Sequence, residues 1–311
     1  MKKHYSTRLF LSFILLAGAI GCHQEPIIPK SAIPGTCQIY RIAVVNEGIR
    51  DTTTYIYNGF GHVEEVTYRQ WTNGIMTTNS RQNFTYSADH YLVSQVDQTT
   101  AYTAGGSSTR DSKGYIYTYQ DGLIQQVAIG NALSGQTLGY TKYTYENGKL
   151  KTYVETNAQQ QPVRSYTFDG TGKLVQVNEA GTTTAVVTNG KITKRILNNG
   201  TTIAYQFDNK GQLVSDSTAL AGSQIMRTYS YDNYPYWNKT QLQFRGIPSP
   251  DLGGHTFVHN LIANTIVQTQ NGRFVQNQKF EYRRTYTKTG YTLGYARSDG
   301  ARQNIVYTNC I

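Results

Sequence analysis

One phrase recurs along this chain and limits what the chain can become. An aromatic-X-aromatic pair runs into an Asp/Asn/Gly turn and then into an apolar residue. Tyr117-Thr118-Tyr119-Gln120-Asp121-Gly122-Leu123 and Tyr143-Thr144-Tyr145-Glu146-Asn147-Gly148-Lys149-Leu150 are full copies. Tyr55-Ile56-Tyr57-Asn58-Gly59, Tyr166-Thr167-Phe168-Asp169-Gly170 and Tyr205-Gln206-Phe207-Asp208-Asn209 vary the turn. Residues two apart share one strand face, and Asn-Gly or Asp-Gly supplies the positive φ of a tight turn, so the phrase encodes a β-hairpin. Its last aromatic falls at Tyr57, Tyr86, Tyr119, Tyr145, Phe168, Val187, Phe207 and Tyr231. Two copies are degenerate: Ala185-Val186-Val187 has lost its rings, and Phe84-Thr85-Tyr86-Ser87-Ala88-Asp89 lacks the glycine. No helical periodicity persists. The expected fold is all-β, an array of antiparallel hairpins in one large curved or partly closed sheet that occupies 37–311 as a single domain.

Composition supports this reading. Tyrosine reaches 26 residues while charged residues make up only 15%, a vocabulary of pleated surfaces that argues against disorder. Stacked phrases place their rings in ladders on one sheet face. Tyrosine in place of phenylalanine predicts a half-wet face, with the hydroxyls reaching water or a partner. Open ladders would make a sugar-binding groove; ladders facing a closed interior would be core. After Tyr231 the rhythm breaks, and 232–272 is expected to be loop with a short helix near Pro250. The rhythm returns at Phe280-Glu281-Tyr282 and again at Thr289-Gly290-Tyr291.

The N-terminus carries an address. Lys2, Lys3 and Arg8 precede an apolar run over 9–20, followed by Gly21-Cys22. The run is too short to span a bilayer, which takes about 20 residues, and reads as a secretory signal over 1–21. Cys22 directly after Ala19-Ile20-Gly21 resembles a bacterial lipoprotein signal, which implies lipidation of Cys22 and a place in the cell envelope, at the outer membrane. The alternative is an ordinary cleaved signal with a free Cys22. Residues 22–36, with Pro26, Pro29 and Pro34, read as an extended tether. Cys37 and Cys310 are a candidate disulfide in an oxidising compartment, or two unpaired thiols.

The tyrosine, aspartate, glycine and leucine phrase resembles the YD repeat of Rhs-type secreted proteins. The layout is similar to small lipoproteins of Bacteroidetes-type bacteria, which carry several such hairpins, a Tyr-Asp-X-X-Pro break and a closing hairpin with a Gly-Tyr turn. Tyr231-Asp232-Asn233-Tyr234-Pro235 and Thr289-Gly290-Tyr291 match the last two elements. The resemblance spans about 40–310; it implies architecture and no particular activity.

Motifs for chemistry are sparse. His255 and His259 have the spacing of a metal pair but lack the glutamate of the helical zinc motif. Neither a serine nor a cysteine nucleophile motif occurs, and neither metal nor cofactor is expected. Glu64-Glu65 would serve a glycosidase only if folding paired them in a cleft. The net charge of +10 includes three signal-peptide cations, and the remainder looks dispersed, as solvated lysines and arginines beside turns. No motif points to nucleic acid. The expected function is non-catalytic: an envelope binding or scaffolding protein. It would take a glycan or, alternatively, a protein partner, with a glycan-processing enzyme the remaining option. Tyr234, Tyr236 and Trp237 form the candidate surface, either exposed for stacking or plugging the sheet end.

Overall fold

Each described phrase closes a hairpin. The computed structural model describes residues 38–103, 105–235, 244–248, 252, 259–288 and 290–308, all within the unit Ser31–Ile311. Its strands are β1 (Gln38–Asn46), β2 (Ile49–Tyr57), β3 (Val63–Thr72), β4 (Ile75–Tyr86), β5 (Leu92–Tyr102), β6 (Ser108–Gln120) and β7 (Leu123–Asn131). There follow β8 (Thr137–Glu146), β9 (Lys149–Asn157), β10 (Pro162–Phe168), β11 (Leu174–Glu179), β12 (Thr182–Thr188), β13 (Lys191–Leu197) and β14 (Thr202–Phe207). The last are β15 (Leu213–Leu220), β16 (Ser223–Pro235), β17 (His259–Gln270), β18 (Arg273–Tyr286), β19 (Thr292–Arg297) and β20 (Arg302–Thr308). They form an antiparallel meander whose last strand returns beside the first, Ile305 opposite Ile42. Among the described residues β11 pairs only with β10, and β12 only with β13. The sheet is therefore a nearly closed barrel with one seam.

The phrase itself produces the curvature. Its last aromatic pairs with the apolar residue after the turn, as in Tyr57 with Val63, Tyr86 with Leu92, Tyr119 with Ile124, Tyr145 with Leu150 and Phe168 with Leu174. At each of these pairs the register slips by one residue. A bulge bends its strand and increases twist, so bulges repeated along one rim curl the sheet. Asn147-Gly148 and Asn189-Gly190 take positive φ at both turn residues, as a two-residue hairpin requires. In the phrase without glycine, His90 at φ 64° takes the place that Gly61 and Gly172 hold in the longer turns.

The tyrosine rings are covered and their hydroxyls reach partners, which are backbone carbonyls of the same sheet. Tyr57 donates to the Ile39 carbonyl at 2.8 Å, Tyr86 to Val63 at 2.7 Å, Tyr119 to Leu92 at 2.9 Å and Tyr231 to Leu213 at 2.6 Å. Three of these acceptors are the apolar residue after the preceding phrase's turn, so each hydroxyl ties one repeat to the one before. The rings are core: Tyr57, Tyr143 and Tyr166 are buried among Val63, Val66, Ile124, Leu174 and Val177. Inward positions nearer the other rim are polar, including Asp216, which pairs with Arg227 at 2.8 Å and accepts from Tyr229 at 2.5 Å.

The break in the rhythm also differs from expectation. His259–Gln270, read as loop, is the twelve-residue strand β17; its alternation is carried by Leu261, Ile266 and polar Asn264 rather than by rings. Further insertion residues cap the rim that carries the phrase turns. Phe244 stacks on Phe84 at 5.6 Å, and Ile247 packs into two of the core clusters. The Gly246 carbonyl accepts from Ile124 N at 3.0 Å. Gly246 has φ +73°, and a Cβ there would lie 2.4 Å from the Gly122 carbonyl oxygen, so only glycine seats this cap.

The seam is held by side chains instead of a ladder. Phe168, Leu174, Val177 and Ile192 form one buried cluster across it. Arg195 of β13 grips Glu179 of β11 at 2.9 and 3.2 Å.

Candidate functional site

Where β6 to β9 face the interior, the packing leaves a hollow of about 700 Å³. Strand alternation brings Lys113, Tyr115 and Tyr117 of β6 into its wall, with Val127 and Ile129 of β7, Thr141 and Tyr143 of β8, and Tyr153 and Glu155 of β9; Phe244 and Ile247 of the cap complete it. The hollow exists because β8 contributes small inward residues below Tyr143, namely Thr141 and Gly139. A Cβ at Gly139 would lie 2.2 Å from the Thr156 carbonyl oxygen.

Aromatic faces and a few fixed polar groups share this wall. Tyr143 and Tyr153 meet edge-on, their centroids 5.3 Å apart. Tyr153 donates to Glu155 at 2.9 Å, and Arg164 approaches the same carboxylate at 3.3 Å. Tyr117 donates to Gln95 at 2.9 Å. Burial pushes the Tyr143 hydroxyl up to about 12, with neighbouring Tyr145 adding to it. Burial raises Tyr115 as well, followed by the nearby Asp97 carboxylate. All these tyrosines stay protonated and able to donate at neutral pH. Rings with oriented donors and acceptors suit a ligand that has a flat apolar face and many hydroxyls.

The residues singled out in sequence lie elsewhere. Cys22, Cys37, Cys310, Tyr236 and Trp237 lie outside the described residues, as do the signal and tether. Tyr234 is half exposed and stacks on Tyr286 at 4.2 Å, with Gly290 against its ring. Asp232 accepts from the Tyr234 amide at 2.9 Å and from the Tyr286 hydroxyl. The Tyr-Asp-X-X-Pro break and the Gly-Tyr turn therefore meet in space and secure one another. Glu65 is on the outer wall, paired with Arg81 at 2.5 Å. Among the described residues there is no metal-binding cluster and no helix long and apolar enough to cross a membrane. Lys113, Glu155 and Phe244 carried no signal in sequence. Tyr115 did, as a third alternate aromatic in Tyr115-Ile116-Tyr117-Thr118-Tyr119.

No protein-family model matches the chain. It is distantly similar to the tRNA3(Ser)-specific nuclease WapA of Bacillus spizizenii, 26% identical over 227 residues. That match takes in 65% of this chain and 9% of WapA, so the chain spans under a tenth of that relative. Among solved structures, a porin-like protein from Bacteroides uniformis matches 87% of this chain and 98% of its own at 12% identity and a TM-score of 0.36. A porin-like protein from Bacteroides vulgatus matches 88% and 99% at 9% identity and 0.28. TcdB2-TccC3 matches 82% of this chain and 15% of its own at 10% identity and 0.38. None of these likenesses gives this chain an activity.

Proposed function

We propose that this is a non-catalytic glycan-binding protein of the bacterial cell envelope, tethered at the outer membrane by lipid on Cys22. The observation that carries the reading is the tyrosine-lined hollow of about 700 Å³ under the cap. Titration calorimetry of the purified protein against a panel of neutral oligosaccharides tests it. Tyr115→Ala is expected to weaken binding about tenfold, the equivalent of one stacking contact of about 1.4 kcal/mol. Circular dichroism checks that the variant keeps its sheet. A wild-type protein that binds no oligosaccharide would move the reading to an envelope protein partner. Phe274 and Val275, exposed by 64% and 56% at the start of β18, favour that alternative.

The anchor has its own expected result. Cys22→Ser expressed in a bacterial host should move the protein from the membrane fraction to the soluble fraction, with loss of labelled palmitate. Retention in the membrane would remove Cys22 as the attachment.

A further inference from the structure

Several cations that look dispersed in sequence are gathered on one part of the outer wall. Closure of β20 onto β1 sets β18, β19, β20, β1, β2 and β3 side by side. Register aligns two outward rows on the face opposite the buried Ile39, Ile42 and Ile305. One row reads Arg283, Ala296, Arg302, Val45, Arg50, Trp71. The next reads Thr285, Gly294, Asn304, Ala43, Thr52, Arg69.

Arg283, Arg302, Arg50 and Arg69 are exposed, and none forms a salt bridge among the described residues. On other parts of the outer wall Arg81 pairs with Glu65 at 2.5 Å and Lys151 with Glu146 at 2.9 Å. Glu281, at the margin near Arg283, is taken by Lys279 at 2.7 Å. A trough of about 440 Å³ lies among Arg283, Thr285, Ala296, Arg302, Asn304 and Ala43. Beside it, between Thr285 and Asn304, Gly294 has no room for a side chain: a Cβ would lie 2.0 Å from the Gln303 carbonyl oxygen.

In the first row the guanidinium groups sit on alternate strands, roughly 10 Å apart along the sheet. Two sugar units of an extended chain cover a comparable distance. Each guanidinium is a planar fork suited to a carboxylate or sulfate ester. The small residues between them let a sugar ring approach the strands, where Thr285 and Asn304 offer groups for its hydroxyls. We infer that this face binds a linear polysaccharide bearing one acidic group on every second sugar. The site is separate from the interior hollow and stands or falls independently of it.

Hyaluronan, with one carboxylate per disaccharide, is the probe, and binding to the purified protein is measured at physiological salt. The Arg283→Gln/Arg302→Gln double variant should bind about tenfold more weakly or worse, given the strength of charge-assisted hydrogen bonds. Lys142→Gln/Lys151→Gln removes the same charge from β8 and β9 and should stay within about twofold, since dispersed charge is screened. Arg283→Lys/Arg302→Lys keeps charge and fold but loses the fork, and should fall between the two. Equal losses in both glutamine variants would reduce the effect to net charge and overturn the site. So would absence of hyaluronan binding by the wild type. Preference of the wild type for phosphatidylglycerol vesicles over hyaluronan would overturn it in favour of a membrane surface.

Discussion

Raising the pH from about 10 to about 12 is expected to unfold this protein in one cooperative step coupled to tyrosine ionisation. A tyrosine in an unfolded chain titrates near 10. In the fold Tyr143, Tyr145, Tyr166 and Tyr307 are pushed up to about 12, burial being the leading cause in each. Tyr57, Tyr86, Tyr119 and Tyr231 are raised further, again first by burial. The folded values lie above the unfolded value, so the fold favours the protonated hydroxyl. This contribution is fully present below about pH 10 and is lost as pH rises through the folded values. The hydrogen bonds act in the same direction, because a tyrosinate cannot donate to the carbonyls of Ile39, Val63, Leu92 or Leu213. Tyrosinate absorbance and far-ultraviolet circular dichroism, followed together, should change in the same narrow range. Gradual tyrosinate formation around pH 10 with an unchanged sheet would mean that the rings are solvated and the repeats are not tied through them.

Phe168→Ala should cost about 3–5 kcal/mol of unfolding free energy, the usual range for removing a buried aromatic ring. Phe168 is 1% exposed at the end of β10, packed with Tyr166, Leu174, Val177 and Ile192. This cluster lines the seam, where β11 and β12 hold together through side chains and through the Glu179–Arg195 pair. A cavity here cannot be bridged by a neighbouring ladder. Denaturant titration gives the energy, and hydrogen exchange gives the location. In the variant, amides of 174–188 should exchange faster while those of β3 and β4 are little changed. A loss below about 1 kcal/mol, or faster exchange spread evenly around the barrel, would show that the seam is not closed by this cluster.

The resemblance to YD-repeat proteins and the residues themselves pointed to the same hairpins, and the described strands bear this out. The bulge after each turn, and with it the direction of curvature, follows from the same local phrase. The interior site was less legible. Tyr115 extends the alternation of Tyr117 and Tyr119 but lies outside the repeated phrase, and Lys113, Glu155 and Phe244 belong to the site only because β6, β9 and the insertion between β16 and β17 meet there. Strand β17 escaped notice because its inward residues are aliphatic or amide, without the rings that marked other strands.

By itself the sequence determined the hairpin, its turn and its bulge, because φ preferences and alternation act over a few neighbouring residues. The tertiary structure alone decided where the ring stays open and which carbonyl each tyrosine reaches. It also decided that Arg283 and Arg302 would stand in one row with Arg50. Those outcomes depend on how bulge curvature accumulates over the twenty described strands until β20 meets β1, and no local stretch of sequence contains that sum.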